Sequence, residues 1–205
     1  MSVQPTPFLT EAEYLERERA SITKNEYYAG GIFAMVGASE AHNLIASNVN
    51  AALHSQLRGC PRRVYPSDMR VKVSQTGLIT YPDITVVCGG SLFRDPDKRD
   101  TLLNPTVIIE ILSPSTERYD RGLKFQNYRT LDSLQEYVLI AQDKRYVEHY
   151  SRHTGNQWLL SEAHTIDAEV ALVAIGCLLK LADIYENVEL DEVQPPQLPR
   201  DTAPE

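Results

Sequence analysis

A chain of 205 residues and 23.1 kDa, with 42% hydrophobic and 23% charged residues, has the composition of an ordinary globular domain with a sizeable core, which excludes collagen-like and intrinsically disordered classes. A formal net charge of −8 argues against a protein that coats polyanions with its whole surface. No segment approaches ~20 continuous apolar residues and the start, MSVQPTPFLTEAEY, turns polar at once, so neither a membrane span nor a signal peptide is expected and a cytoplasmic location follows.

The charge is unevenly spread. From Asp183 to Glu205 seven acids stand against Arg200 alone, whereas from Arg58 to Lys72 five basic residues (Arg58, Arg62, Arg63, Arg70, Lys72) stand against Asp68. That basic run is either a phosphate-facing surface or a solvated strand face. Cys60, Cys88 and Cys177 are too widely spaced for a zinc or redox motif, and buried reduced thiols are expected.

In chain order, Thr10 and Glu13 have the spacing of a capping box, predicting a helix to about Ala20. Glu26-Tyr27-Tyr28-Ala29-Gly30-Gly31-Ile32-Phe33-Ala34-Met35-Val36 predicts a hairpin about a Gly-Gly turn, with Glu26 on a solvated flank. Ser39 caps a helix reaching about Leu57, with Leu44, Ile45, Val49, Ala52 and Leu53 as its apolar stripe and His42 as a local hydrogen-bonding residue in its first turn. Arg63 to Val73 reads as one strand interrupted at Pro66, in which Asp68 is either a turn residue or a third active-site acid. Gln75-Thr76-Gly77 turns the chain into a strand through Asp83, and Gly89 to Asn104 is a polar surface loop with room for one helical turn.

The next strand contains Glu110 and ends at Ser113-Pro114-Ser115, after which Ser115 or Thr116 caps a helix carrying Asp120, Lys124 and Tyr128 on one face. Glu136–Ala141, Arg145–Tyr150 and Gln157–Leu160 form a meander, and Val170–Leu181 is apolar before a helical turn. Residues 1–192 are expected to form a single domain, and 193–205 a mobile, proline-rich acidic tail.

Asp83 and Glu110 organise this pattern. Each lies beside β-branched residues, ITVV after Asp83 and VII before Glu110, where an ionised carboxylate is costly unless a cation or donors compensate it. Two such acids in one region suggest a shared cation, and Mg²⁺ typically takes one or two carboxylates and keeps several waters. Ser113 and Ser115 lack the strand-turn-helix glycine setting of a nucleophile elbow, which argues against a serine hydrolase.

The runs EYYAGGIFAMVGASEAHN, YPSDM, YPDITVV and IIEILSPSTERYDRGLKFQNYRTLDSLQEYVLI resemble the Uma2-type restriction endonuclease family of the PD-(D/E)XK nuclease superfamily. The resemblance implies an α+β fold with an α/β-like core, a restriction-endonuclease-like mixed β-sheet flanked by helices. It implies Asp83 and Glu110 as ligands of Mg²⁺, or of Mn²⁺ in its place, and a DNA endonuclease activity. The superfamily expects a lysine two residues after the second acid, where this chain has Leu112, and the following helix offers Lys124 instead. Glu26, Asp68, His42 and Tyr128 match other family positions near the site. DNA is the implied partner, with a homodimer the simplest way to cut both strands. The alternative is a catalytically silent nucleic-acid- or protein-binding domain that retains the nuclease fold.

Overall fold

Thr10 builds a complete capping box. Its hydroxyl accepts from Glu13 N at 3.3 Å while the Glu13 carboxylate accepts from Thr10 N at 2.8 Å, so two orphan donors are satisfied where α1 (Glu11–Ala20) begins. In the computed structural model, which describes residues 8–35 and 37–190, α1 buries Tyr14 and Leu15 against Tyr27 of β1 (Asn25–Tyr28). The expected 193–205 tail and Val36 lie outside the described residues. β1 pairs with β2 (Gly31–Ala34), but the turn is Ala29-Gly30, not Gly-Gly. Both residues have positive φ, 48° and 83°, as a type I′ turn requires, and Gly31 already pairs with Tyr28. Ser39 caps α2 (Glu40–Gln56) by accepting from His42 N at 3.1 Å.

From here the strands depart from the sequence reading. β3 (Arg62–Pro66) and β4 (Arg70–Val73) are not one interrupted strand, and β5 (Leu78–Thr80) and β6 (Ile84–Cys88) are not one strand through Asp83. β3 and β6 pair with each other in a six-stranded sheet, while β4 and β5 pair in a five-stranded one. Pro66 and Pro82 stand where the chain changes sheet, because proline has no N–H with which to continue a ladder. The Gly89–Asn104 segment is also more ordered than expected. It contains no helix but holds β7 (Thr101–Leu102), buried and parallel to β4, tied down by Arg70 through Thr101 and Asp100.

β8 (Val107–Leu112) is buried along its whole length. It runs parallel to β9 (Glu136–Ala141), which continues antiparallel into β10 (Val147–Arg152) and β11 (Trp158–Ala163) as the expected meander. The six-stranded sheet has the order β11-β10-β9-β8-β6-β3, and the five-stranded one β2-β1-β5-β4-β7. A hairpin of β12 (Glu169–Leu172) and β13 (Cys177–Lys180), then α5 (Leu181–Ile184), completes the described chain.

Strand alternation on β8 divides the interior in two. Val107, Ile109 and Ile111 pack with α2, α5 and the β12–β13 hairpin, while Ile108 and Leu112 pack with Tyr128, Leu131, Tyr137 and the β4–β5 residues Val71, Val73 and Leu78. Glu110 belongs to the second face. Mixed sheets flanked by helices match the α+β class expected. Of the cysteines, only Cys177 is buried; Cys60 is exposed and Cys88 half-buried, all as free thiols.

Candidate active site

Ile84 pairs with Ile109 in the antiparallel β6–β8 ladder, so Asp83, one residue before β6, comes opposite Glu110. Asp83 is held from two sides. Its Oδ2 accepts from Ile111 N at 2.7 Å, extending the ladder by a side chain, and lies 3.2 Å from His42 Nε2 in the first turn of α2. Neither side chain is sealed off, with 14% of Asp83 and 16% of His42 exposed, so this pair forms the more open side of the site.

Glu110 lies deeper. Its Oε1 accepts from Tyr128 OH at 2.9 Å and lies 3.0 Å from the Lys124 ammonium. Lys124 is also 3.2 Å from Asp120 and 3.4 Å from Glu26. Glu26 is thus buried at the heart of the cluster, not on a solvated flank, held by the hydroxyls of Thr80 and, at 3.0 Å, Tyr119.

The helix that delivers Lys124 is not a single α-helix. α3 (Glu117–Tyr119) passes into a π-helical turn over Asp120–Lys124 and then into α4 (Phe125–Tyr128). Neither Ser115 nor Thr116 supplies a side-chain cap; Ser113 Oγ does so, accepting from Thr116 N at 3.2 Å, because the Pro114 turn brings it over that donor. Asp120, Lys124 and Tyr128 all point inward across the wide turn, a local geometry that recurs at functional sites.

Burial pushes the Glu110 carboxyl well above its ordinary pKa; Lys124 pulls it down, and the charges of Asp120 and Asp83 push it up again. Burial opposes the Lys124 charge, but Glu110 first, then Tyr128, Asp120 and Glu26, hold the ammonium well above its usual value. Lys124 therefore keeps its proton. The cluster has more acids than cations, and Asp83 has no lysine or arginine partner among the described residues.

The sequence matches the Uma2 family, described as "Putative restriction endonuclease", over residues 11–181. The chain belongs to the Uma2 family. It is similar to two proteins of Synechocystis sp. One, "Uncharacterized protein sll1609", is 37% identical over 170 residues, 83% of this chain and 96% of that one. The other, "Uncharacterized protein slr1290", is 32% identical over 184 residues, 90% of this chain and 95% of that one. The fold is similar to a crystal structure from Anabaena variabilis described as a "putative nuclease belonging to DUF820", with a TM-score of 0.72, 22% sequence identity, and 86% of this chain and 97% of that one covered. That likeness is one of fold.

Within this Uma2 protein, Leu112 fills the position of the superfamily lysine with an apolar side chain, 4% exposed, in the same core as Tyr128. Asp68 is not brought to the site: it is 84% exposed and paired with Lys24 at 2.6 Å. Asp120 was visible in sequence as the residue four before Lys124, whereas Thr80 and Tyr119 carried no signal of their own. The basic run is also dispersed. Arg70 is buried against Asp100 and Tyr81, Lys72 is paired with Glu11 at 2.7 Å, and Arg62 and Arg63 lie on β3 in the other sheet.

Among the described residues no group of three or more His, Cys, Asp or Glu forms a metal cage. Asp83 and Glu110 nonetheless fit a hard divalent ion. They offer carboxylate oxygens from facing positions, and the Asp83 charge itself raises the Glu110 pKa, so a cation between them relieves a repulsion that Lys124 leaves in place.

No helix among the described residues is long and apolar enough to cross a membrane.

Proposed function

We propose that this Uma2-family protein is a divalent-metal-dependent endonuclease that hydrolyses phosphodiester bonds in DNA. The observation that carries the reading is the buried Lys124 ammonium, 3.0 Å from Glu110, on the strand face where Leu112 offers no cation. Asp83 and Glu110 would hold the ion, Mg²⁺ or Mn²⁺, which when bound would offset charge developing on the phosphate and the leaving oxygen. Ile111 N and His42 orient Asp83, while Tyr128 orients Glu110. Because its pKa is raised, Lys124 keeps its proton and acts as a fixed positive charge and hydrogen-bond donor that orients water and neutralises transition-state charge, not as a general base. Glu26 and Asp120 keep that ammonium in place.

The test is incubation of the purified protein with plasmid and oligonucleotide substrates in Mg²⁺, Mn²⁺ or EDTA, alongside Asp83→Asn, Glu110→Gln and Lys124→Met. The first two should lose both Mn²⁺ binding by calorimetry and cleavage, and the third should retain metal but lose cleavage. Unaltered metal binding in both acid variants rules the shared site out. The burial of Lys124 and Glu110 favours a second reading, a catalytically silent binding domain; it predicts no Mn²⁺ binding at the acidic pair and no metal-dependent cleavage. Two such sites in a two-fold homodimer would address both DNA strands, which sedimentation on a DNA duplex would reveal.

A further inference from the structure

A cavity of about 310 Å³ lies away from the acid cluster, where the end of α4, the β4–β5 turn, the end of β10 and the β10–β11 turn meet. Two arginines line it. Arg152 is half-buried and rigid: its Nε donates to Leu134 O at 2.6 Å, and one terminal nitrogen donates to Leu131 O at 2.8 Å and Arg129 O at 3.0 Å. Its guanidinium also stacks over Trp158, 4.6 Å from the ring centroid. A guanidinium has five N–H donors, so the other terminal nitrogen keeps two donors without an acceptor among the described residues. Arg129 stacks over Phe125 at 5.2 Å, leaving its donor edge exposed.

Neither arginine pairs with a carboxylate among the described residues, although the chain carries a net charge of −8. Main-chain carbonyls bear only partial charge, so the cavity wall keeps its positive charge. Burial lowers the Arg152 pKa, with the Asp132 carboxylate opposing that effect. The side-chain amides of Gln75, Gln126 and Asn156 also line the space, and none has a hydrogen-bond partner among the described residues. The lining offers two guanidiniums and three amides against one carboxylate.

We propose that this cavity binds a phosphate group, with the Arg129 and Arg152 guanidiniums as forks for its oxygens and the amides as further donors. It is independent of the Asp83–Glu110 reading. A free mononucleotide and the backbone of a nucleic acid are the two sources of such a group.

The experiment measures binding of inorganic phosphate, a mononucleotide and a short single-stranded oligonucleotide to metal-free protein by calorimetry. The variants are Arg129→Glu, Gln126→Ala and, as an equal change of charge elsewhere, Arg118→Glu, with circular dichroism verifying each fold. Arg129→Glu should weaken binding by about tenfold or more, and Gln126→Ala by less, with Arg118→Glu unchanged. Loss confined to the oligonucleotide identifies a backbone phosphate, and loss of phosphate or mononucleotide binding identifies a free ligand. Binding by none of the probes at millimolar concentration overturns the proposal. So does equal weakening by Arg118→Glu, which would mark a general charge effect.

Discussion

Replacing Lys124 by Met tests whether one ammonium holds the acid cluster together. Methionine keeps an unbranched stem and removes the charge. The ammonium stands 3.0 Å from Glu110, 3.2 Å from Asp120 and 3.4 Å from Glu26, with every side chain in the group less than 10% exposed. Deleting one partner of a buried ion pair costs about 3–5 kcal/mol, because the charges left behind have lost their water as well as their counter-ion. At about 2–4 °C per kcal/mol for a chain of this size, the metal-free variant should melt roughly 10 °C below the parent. The deficit has a pH dependence of definite sign. Burial already raises the Glu110 carboxyl above its ordinary value of 4.5, and Lys124 is the largest influence holding it down, so removing the ammonium raises it further. A carboxyl with a folded pKa above its unfolded one binds more protons when folded; its contribution is complete below the unfolded pKa and is lost as pH rises through the folded pKa. The parent carboxyl is itself raised, so parent and variant lose stability together until the parent's folded pKa is passed; the deficit should therefore be smallest below that folded pKa and widen above it. Urea melts of parent and variant in EDTA, across that range at constant ionic strength, measure it. A deficit under about 1 kcal/mol, or one that does not change with pH, would refute the account.

Tyr128→Phe removes the hydroxyl donated to Glu110 at 2.9 Å and should cost about 1.5–3 kcal/mol in the same melts, the usual range for a bond to a charged group. Leu112→Lys restores the superfamily pattern in sequence but puts an ammonium where Leu112 packs in an apolar core, so it should destabilise the fold without raising cleavage; a gain in activity would show that Lys124 does not take that role. Mn²⁺ at about 100 times its dissociation constant should stabilise the parent by about 2.7 kcal/mol and leave the melting of Asp83→Asn unchanged. Ser39→Ala removes the α2 cap and should cost about 1 kcal/mol, measured by urea denaturation.

The features legible in the sequence were those with local causes. The Thr10–Glu13 capping box, the Ser39 cap and the β9–β11 meander each depend on residues a few positions apart, and each forms as expected. Sheet membership does not. Thr80 and Ile84 are separated by Tyr81, Pro82 and Asp83, yet they belong to different sheets, and only the proline hints at the break. Glu26 and Asp68 look alike along the chain, both short acids near aromatic residues. What separates them is a partner far away in sequence: Glu26 meets Thr80 and Lys124 in the interior, whereas Asp68 meets Lys24 in solvent. Arg70 likewise reads as part of a basic surface run until Asp100 and Thr101 fold over it.

The proposed exchange of Leu112 for Lys124 would follow from the same division between local and distant causes. A lysine at position 112 would reach the site from the Glu110 strand itself, so a local pattern can specify it. Lys124 reaches Glu110 from the following segment by way of the turn after Ser113 and the wide π-helical turn, above a core that holds Leu112 and Tyr128 together. Leu112 shares an apolar core with Phe125 and Tyr128 of the segment that carries Lys124, so an ammonium at that strand position should weaken the packing around the one that stands 3.0 Å from Glu110.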